Sequence, residues 1–173
     1  MVEEMSALTI RTATTEDAQA VARVHVASWR GAYAGIVPDE VLATLDVDAR
    51  EQRWHDNLAD TTVHTWVAEV ADRAIGFATL GPARDEDADD GDLELYAIYL
   101  SPESWGTGAA RELMRTLLAE VPAAARLTLW VFADNDRARH FYKRHGLAPD
   151  GVERLEEFGG THLTEVRYVR TGA

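Results

Sequence analysis

Apolar and polar residues alternate along this chain with two periods, and these predict strands and helices in turn. The clearest example runs from Leu93 to Glu120. Its first part, up to Leu100, is apolar, β-branched or aromatic at most positions, which is typical of a buried strand. From Ala109 onward apolar residues recur every three or four positions, as on one face of a helix. The stretch therefore predicts a strand, a glycine-containing turn and a helix.

The remaining segments extend this pattern to both ends of the chain. Strands are predicted at 8–12, 62–70, 73–80, 126–132, 152–158 and 162–169, and further helices at 18–33, 47–58 and 137–144, with a possible helical turn from Pro38 to Leu45. Asp72 supplies a turn, Gly76 marks a bulge and Gly159-Gly160 closes a hairpin. The resulting order is β-α-α-β-β-β-α-β-α-β-β. We expect an α/β fold with a mixed sheet and helices on both faces.

Length and composition restrict the class of protein. At 173 residues and 46% hydrophobic content, we expect one domain spanning residues 1–173 with a full core. The chain has no cysteine, which excludes disulfides, thiolate metal sites and a cysteine nucleophile. It has no run of 18 apolar residues, and its first eleven residues are acidic and not apolar. We therefore expect a cytoplasmic protein that does not enter a membrane.

The charge balance adds a second restriction. A formal net charge of −13 argues against nucleic acid as a partner, because phosphates would be repelled. The same charge fits a cationic substrate, or simply high solubility. The acidic segment 84–92 lacks the ligand spacing of an EF-hand, and the six histidines lack metal-ligand spacing, so no metal is expected. The role of this acidic segment stays open.

The turn before the central helix is the first candidate for chemistry. Gly106 and Gly108 flank Thr107, and a helix follows at once. Such a turn presents free backbone N–H groups at the positive end of a helix dipole, where a phosphate binds without a charged side chain. A tight strand-to-helix connection explains the same glycines. Nucleotide P-loop and dinucleotide motifs are both absent, because no Lys-Ser/Thr follows and the glycine spacing differs.

Two stretches resemble motifs of the GNAT N-acetyltransferase superfamily. Residues 105–110 are similar to its acetyl-CoA motif, Arg/Gln-x-x-Gly-x-Gly/Ala, with Gly108 and Ala110 in place and Trp105 where Arg or Gln is usual. Residues 129–147 resemble its later motif, a strand followed by Asn-x-x-Ala-x-x-Phe-Tyr-x-x-x-Gly. The residues that match the later motif are Asn135, Ala138, Phe141, Tyr142 and Gly146. The stretch SWRGAYAGIVP near the N-terminus is similar to one found in many bacterial members.

The resemblance implies how acetyl-CoA binds. Two central parallel strands splay apart, and the pantetheine arm lies in the gap, paired with backbone groups of one strand. The expected pantetheine contacts are Ile98, Tyr99, Leu100 and Asn135. Asn135 also caps the following helix. Backbone amides of the turn bind the diphosphate, and the residues concerned are Gly106, Thr107, Gly108, Ala109, Ala110 and Arg111.

The resemblance also implies a reaction, the transfer of acetyl to a primary amine by direct attack in a ternary complex. Tyr142 occupies the position that lies near the thioester sulfur, where a phenol can donate to the departing thiolate; packing alone also explains it. Some members carry a Glu base where this chain has Trp130. Glu94 is the best substitute, acting through water, although a surface or salt-bridged role explains it equally. A third option is that no single base exists.

The acceptor side carries fewer indications. Trp29, Arg30 and Tyr33 lie in the first helix, which borders the acceptor pocket in the family, although core packing explains Trp29 equally well. His25 is better explained as a helix histidine than as a base. The acceptor is expected to be a small-molecule amine or a peptide N-terminus, and family members often form homodimers through the C-terminal strands. The alternatives are a non-catalytic acyl-CoA-binding or sensing module and, more remotely, a purely structural domain.

Overall fold

The computed structural model describes residues 7–170, which form one seven-stranded mixed sheet with helices on both faces. The elements are β1 (Thr9–Thr12), α1 (Ala18–Ala32), α2 (Asp39–Ala43), α3 (Val47–Ala59), β2 (His64–Val70), β3 (Arg73–Pro82), β4 (Leu93–Leu100), α4 (Ala109–Glu120), β5 (Leu127–Phe132), α5 (Asp136–Arg144), β6 (Leu147–Phe158) and β7 (Thr161–Arg170). The predicted fold class is confirmed. The possible helical turn after Pro38 forms α2, which adds one short helix to the predicted order.

Strand boundaries follow the prediction closely except at β6, which begins at Leu147 and not near residue 152. The sequence Pro149-Asp150-Gly151 has the composition of a turn. In the structure it forms an irregularity in the pairing with β7, and Gly151 adopts a positive φ of 87°. Strand β6 continues through this bulge. Its first five residues were not predicted as strand because their composition is typical of a turn.

The predicted β2–β3 hairpin has the expected turn. Ala71 and Asp72 both adopt left-handed φ angles, 51° and 59°, as a two-residue hairpin turn requires. The predicted bulge lies directly beside Gly76, because Ala68 pairs with Gly76 while the next residue of β2 pairs with Ala74. Ile75 is therefore the extra residue of this bulge.

The sheet opens between β4 and β5. The strand order is β1-β2-β3-β4-β5-β7-β6, and β4–β5 is its parallel pair. These two strands share only the pairs Leu93↔Leu127 and Glu94↔Thr128, and then they diverge. A bulge at Tyr96 sharpens the divergence, because Ala97 and Leu95 pair with consecutive residues of β3. The predicted splay of the central strands is thus present in the structure.

The two sheet faces have separate apolar clusters. On one face, α4 buries Leu113, Met114 and Leu117 completely, and each such side chain contributes about 1.5–3 kcal/mol to stability. On the other face, α1 and α3 pack on β2 and β3 through Val21 and Trp54, among others. The amphipathic periodicity of the helices therefore decides which face each one covers. No helix within residues 7–170 combines the length and apolar character needed to cross a bilayer.

Candidate active site

A cavity of about 270 Å³ lies where β4 and β5 diverge. Residues of α1, β4, the turn before α4, β5, α5 and the β6–β7 hairpin line it. The cavity therefore reaches both faces of the sheet through the gap. A ligand in this gap can contact the glycine turn on one side and the α1 side chains on the other.

The glycine turn has the geometry of an anion cradle. Gly106 and Gly108 have φ values of 76° and 88°, and beyond the adjacent backbone no heavy atom of residues 7–170 lies within 4 Å of the position where either Cβ would be. Thr107 fixes the turn from outside by donating its hydroxyl to the Ser104 carbonyl at 2.6 Å. The first N–H groups of α4 have no partner within the helix, because the first helical bond joins the Glu112 N–H to the Gly108 carbonyl.

The predicted diphosphate contacts divide into three groups in the structure. Gly106, Gly108 and Ala110 line the cavity, whereas Arg111 lines a recess that adjoins it. Ala109 is fully buried under the turn and belongs to the main core. Its side chain, like that of Thr107, thus supports the turn, and a contact with a ligand would be through the backbone.

The adjoining recess carries positive charge that the motif analysis missed. It is lined by three arginines, one histidine and one aspartate, namely Arg111, Arg137, Arg144, His140 and Asp136, together with the turn glycines, Ala110 and Phe141. Arg137, His140 and Arg144 stand at positions i, i+3 and i+7 of α5 and therefore share a face. The sequence shows this spacing, and it could have predicted a basic surface beside the glycine turn. In a chain of net charge −13, this recess is a local exception.

Trp105, which stands where the motif usually has Arg or Gln, is covered by a cation from another element. The Arg137 guanidinium lies 4.0 Å from the centroid of the Trp105 ring. The indole N–H donates to the Leu100 carbonyl at 3.2 Å, which fixes the ring against the end of β4. Such cation–π stacking contributes about 0.5–1 kcal/mol at exposed sites. Arg137 is therefore held beside the glycine turn, where it lines both the cavity and the recess.

The same turn contacts α1 through a glycine. A Cβ at Gly31 would lie 2.6 Å from Cγ of Pro102 and 3.3 Å from Cη2 of Trp105. Any larger residue would force the helix and the turn apart. The packing of α1 against the phosphate turn thus depends on the absence of a side chain at this position.

The central strand provides the floor of the cavity. Ile98, Tyr99 and Leu100 all line it, as predicted for the pantetheine contacts. Past Glu94 no residue of β5 pairs with β4, so this edge of the strand faces the gap. Asn135 also lines the cavity, and its Oδ1 accepts the Ala138 N–H at 3.2 Å. Its predicted role as the cap of α5 is confirmed.

Tyr142 lies on α5 with a buried ring and faces the same cavity. Its hydroxyl makes no hydrogen bond to any described residue. Burial, and then the nearby Tyr99, raise the pKa of Tyr142 above its ordinary value. The phenol is therefore protonated across the neutral range, and within residues 7–170 its O–H donor has no hydrogen-bond partner.

On the opposite side, α1 contributes an aromatic wall. Trp29 and Tyr33 line the cavity, and the Tyr33 and Tyr99 hydroxyls are 3.3 Å apart. Burial raises the pKa of both tyrosines, so both stay neutral. The Arg30 side chain turns away from the cavity and donates to the Leu42 and Leu45 carbonyls. The structure thus brings two of the three predicted acceptor contacts to the site, whereas Arg30 anchors the segment after α2.

His25 packs behind this wall, one turn before Trp29. Its ring stacks on Tyr99 at 5.4 Å between centroids, and its Nδ1 accepts the Trp54 indole N–H at 3.1 Å. Burial, and then the positive charge of Arg50, lower the pKa of His25 to about 3. The ring is neutral and does not line the cavity. The interpretation as a structural helix histidine is the one that this geometry supports.

Glu94 lies at the closed end of the gap with a side chain only 4% exposed. Its two carboxylate oxygens accept hydrogen bonds from the Arg84 backbone N–H at 3.2 Å and from the Arg84 guanidinium at 2.5 Å. The salt-bridged alternative is therefore realised, in a carboxylate that still lines the cavity. Its proposed role as a base stays a prediction.

The acidic segment after β3 is fastened to the C-terminal strands. Arg167, 4% exposed, donates to Asp85, Asp87 and Asp150. Asp85 also accepts the Trp130 indole N–H at 3.1 Å. These ion pairs join residues that are distant in sequence, which explains why the segment suggested no role. The contacts fix the segment beside the outer end of the cavity.

Comparisons with known proteins agree with this geometry. The model of the Acetyltransferase (GNAT) family matches residues 24–147. YuaI of Bacillus subtilis, named an uncharacterized N-acetyltransferase, is 34% identical over 165 residues, which cover 92% of this chain and 90% of YuaI. Rv2669 of Mycobacterium tuberculosis, also named an uncharacterized N-acetyltransferase, is 30% identical over 137 residues, covering 78% and 84% of the two chains.

Solved structures share the fold at lower identity. The PaiA N-acetyltransferase of Thermoplasma acidophilum, crystallised with coenzyme A, superposes with a TM-score of 0.68 at 19% identity, covering 92% of this chain and 98% of that one. The ribosomal-protein-alanine N-acetyltransferase of Brucella melitensis gives 0.73 at 22% identity, with 93% and 98% covered. The splayed strands, the glycine turn and the family match lead to one conclusion: this chain belongs to the GNAT family of acetyltransferases.

Proposed function

We propose that residues 1–173 act as one domain that transfers an acetyl group from acetyl-CoA to a primary amine, by direct attack within a ternary complex. The observation that carries this proposal is the gap between β4 and β5, where the glycines of the turn and Tyr142 line one cavity. A cofactor with an anionic end and a thioester tip fits that arrangement. The acceptor is a small-molecule amine or a peptide N-terminus.

The cofactor end of the site uses backbone groups and arginines. The N–H groups between residues 106 and 111 face the diphosphate, and the dipole of α4 favours its charge. Arg137, stacked on Trp105, supplies the cation that the motif position itself lacks. The pantetheine amides pair with the free edge of β4 at Ile98–Leu100, as an added strand would.

The chemistry needs little from the protein beyond position and one proton donor. A neutral amine attacks the thioester carbonyl carbon, the C–S bond breaks, and the sulfur leaves as a thiolate that must be protonated or hydrogen-bonded. Tyr142 is the donor for that sulfur. Because burial raises its pKa, the phenol stays protonated and donates a hydrogen bond to the departing thiolate, which takes its proton from solvent after release. The proton of the attacking amine leaves through Glu94 and water, or directly to solvent.

The role of Glu94 is tested by Glu94→Gln, which keeps hydrogen-bonding atoms beside Arg84 but cannot take a proton. We expect the pH profile of kcat/KM to shift in this variant. Thermal unfolding of the same sample checks that the loss of the ion pair has not unfolded the protein. A profile identical to that of the wild type would mean that the amine deprotonates directly to solvent.

A non-catalytic acyl-CoA-binding module is the second candidate function. Two observations favour it, namely Trp105 at the usual Arg/Gln position and Trp130 at the usual position of the base. One experiment separates the candidates: thermal unfolding with and without acetyl-CoA, followed by CoA release with a panel of amines. Stabilisation with amine-dependent CoA release supports the enzyme, and stabilisation without release supports the module. Absence of stabilisation would point to a purely structural domain.

Two further expectations belong to this proposal. A chain without cysteine fits the reducing cytoplasm. The edge strand β6 exposes Leu155 (65%) and Val152 (40%), which suits a homodimer formed through the C-terminal strands. Light scattering of the wild type and of Leu155→Glu tests this expectation; a monomeric wild type would exclude the dimer.

A further inference from the structure

The cavity differs in charge from the molecule as a whole. The chain has a net charge of −13, but the charged residues that line the cavity are three arginines and two glutamates. Arg137 lies at the cofactor end. The other four, Arg84, Glu94, Arg154 and Glu165, lie toward the C-terminal strands. The net charge of the chain therefore does not predict the charge of the acceptor. The four charged side chains that line this part of the cavity are better evidence for it.

Arg84 is held in place on two sides. Its guanidinium lies 3.9 Å from the centroid of the Tyr96 ring and donates to the buried carboxylate of Glu94. Its side chain is nevertheless 63% exposed, and its Nε and Nη1 groups have no partner among the described residues. Arg84 thus presents fixed, unused N–H donors at the mouth of the cavity.

Arg154 repeats this arrangement from the other wall. It lies 4.1 Å from the centroid of the Trp130 ring, and its Nε donates to Glu165 at 2.7 Å. Its two terminal nitrogens have no hydrogen-bond partner within residues 7–170. Two guanidinium groups, each fixed by a ring and a carboxylate, therefore line one cavity. A planar guanidinium with free N–H groups matches the geometry of a carboxylate.

Among the described residues that line the cavity, the same pairs leave no unpaired carboxylate for a second cation. Glu94 and Glu165, the two carboxylates of the lining, are both bound to arginine, with side chains 4% and 13% exposed. The amine that attacks must itself be neutral. A polyamine would bring at least one more ammonium, which would face two guanidinium groups without a free counter-charge.

The cavity lining is also rich in aromatic side chains. Trp29, Tyr33, Trp130, Phe132 and Phe158 all line the cavity. Phe132 packs edge-on to Tyr33 at 4.9 Å and to Phe158 at 5.5 Å between ring centroids. Such a wall stabilises an apolar substituent by removing it from water.

We propose that the acceptor is a primary amine that carries a carboxylate, that is, an amino acid with an apolar side chain, and that Arg84 and Arg154 bind its carboxylate. This inference rests on the proposed acetyl transfer, since it names the acceptor class of that same site. The amino group then points toward the gap between β4 and β5, and the side chain lies against the aromatic wall.

The test is calorimetric titration of the protein with matched pairs of amines. Each titration is done with and without saturating CoA. Each pair differs only in the carboxylate: L-phenylalanine with 2-phenylethylamine, and L-methionine with 3-(methylthio)propylamine. Spermidine and a dipeptide complete the panel. We expect at least one amino acid to bind about tenfold or more tightly than its partner without the carboxylate, as loss of a charge-assisted hydrogen bond implies.

Two variants assign the preference to the arginines. Arg154→Gln and Arg84→Gln are each expected to reduce the preference for the carboxylate about tenfold, while CoA affinity stays unchanged. Arg84→Gln leaves the buried Glu94 carboxylate without its cation. The double variant Arg84→Gln with Glu94→Gln removes both charges, and it tests the loss of Arg84 without an unpaired buried charge. Arg53→Gln, on an exposed part of α3 outside the cavity, is the matched control and should change neither affinity.

The outcomes separate this inference from the proposed function. CoA binding together with tighter binding of spermidine or of the decarboxylated amines would overturn the acceptor class but leave acetyl transfer intact. A panel in which no amino acid binds, with or without CoA, would also overturn it. Failure of CoA itself to bind would contradict the proposed function, and the titrations without CoA would still decide whether the arginines bind a carboxylate.

Discussion

The two ends of the cavity are built in different ways. The cofactor end, from β4 to α5, comes from one continuous stretch and relies on backbone geometry, with two glycines at positive φ and a free strand edge. The acceptor end collects side chains from α1, the acidic segment, β5 and the β6–β7 hairpin. Its ion pairs join partners as far apart as Asp85 and Arg167, separated by 82 positions.

This difference shows how the two ends can change. A site made of backbone N–H groups tolerates substitution of most side chains, since the donors belong to every residue. A site made of paired arginines and carboxylates changes whenever one partner changes, because the remaining charge is left unpaired. Under the proposed function, we therefore expect the glycine turn to tolerate side-chain changes, and the paired arginines and carboxylates to decide which acceptor binds.

The largest expected effect is at the junction of the two ends. We expect Tyr142→Phe to lower kcat by about 100-fold or more, because the departing sulfur loses its proton donor. The affinity for acetyl-CoA should stay unchanged, as measured by calorimetry. Since burial raises the pKa of Tyr142, the loss should be the same at neutral and mildly alkaline pH.

Tyr168→Phe is the matched control for this variant. Tyr168 is fully buried and accepts a hydrogen bond from Arg139 Nε at 3.0 Å, but it does not line the cavity. Loss of this hydrogen bond should lower the free energy of unfolding by about 1 kcal/mol and leave kcat unchanged. Wild-type kcat in Tyr142→Phe would show that the Tyr142 ring only packs against the cofactor.

An intermediate effect is expected at the charged part of the cofactor end. Arg137→Gln should weaken CoA binding about tenfold, because a charge-assisted contact with phosphate is lost. Adding Trp105→Arg to this variant should restore affinity, since the cation then returns at the usual motif position. Calorimetry with CoA and with pantetheine, which lacks phosphates, shows whether Arg137 contacts the phosphates. The affinity for pantetheine should be the same in the wild type and in both variants.

Arg115→Gln is the control for charge alone. Arg115 pairs with Glu112 at 3.3 Å on the exposed side of α4 and lines neither the cavity nor the recess. If Arg137→Gln and Arg115→Gln bound CoA equally well, the stacked guanidinium would have no part in phosphate binding. Phosphate binding would then depend on the backbone groups of the turn and on the other arginines of the recess, Arg111 and Arg144.

The smallest effect concerns the support behind the acceptor end. The pKa of His25 is lowered to about 3 in the folded protein, below the ordinary value of 6.5. As the pH falls, His25 takes up a proton in the unfolded chain before it does so in the folded protein. The contribution of the neutral His25 ring to the free energy of unfolding is therefore complete above pH 6.5 and is lost as the pH falls. Between about pH 7.5 and pH 6 the wild type should lose about 1 kcal/mol relative to His25→Asn.

Urea unfolding at a series of pH values measures this difference. The Asn side chain keeps an acceptor for the Trp54 N–H but cannot be protonated. His55→Asn, at an exposed position of α3, is the control and should retain the wild-type slope. Equal slopes for the wild type and His25→Asn would show that the His25 ring is accessible to protons in the folded state.

The sequence was sufficient for most of the fold and for the cofactor end. Periodicity placed β4 and α4 at their observed bounds, and Gly106 and Gly108 marked the turn because only glycine adopts positive φ without strain. Asn135 was predictable as a cap because its partner lies three residues away. These are local interactions, which a sequence displays directly.

The acceptor end was less predictable for the opposite reason. Arg30, near Trp29 in sequence, donates to carbonyls outside the cavity, whereas Arg84 and Arg154 reach the cavity from distant segments. Nothing in their local sequence indicates which carboxylate they will meet. The bulge at Gly151 hid the start of β6 in the same way, since only pairing with β7 shows that the strand continues.

The contact at Gly31 links the two ends mechanically. The helix that carries Trp29 and Tyr33 rests on Pro102 and Trp105 with no space between them. A substitution that moves this helix would therefore also displace Pro102 and Trp105, which directly precede the glycine turn. Under the proposed function, we therefore expect the choice of acceptor to change more readily at the opposite wall, which the β6–β7 hairpin and the acidic segment form.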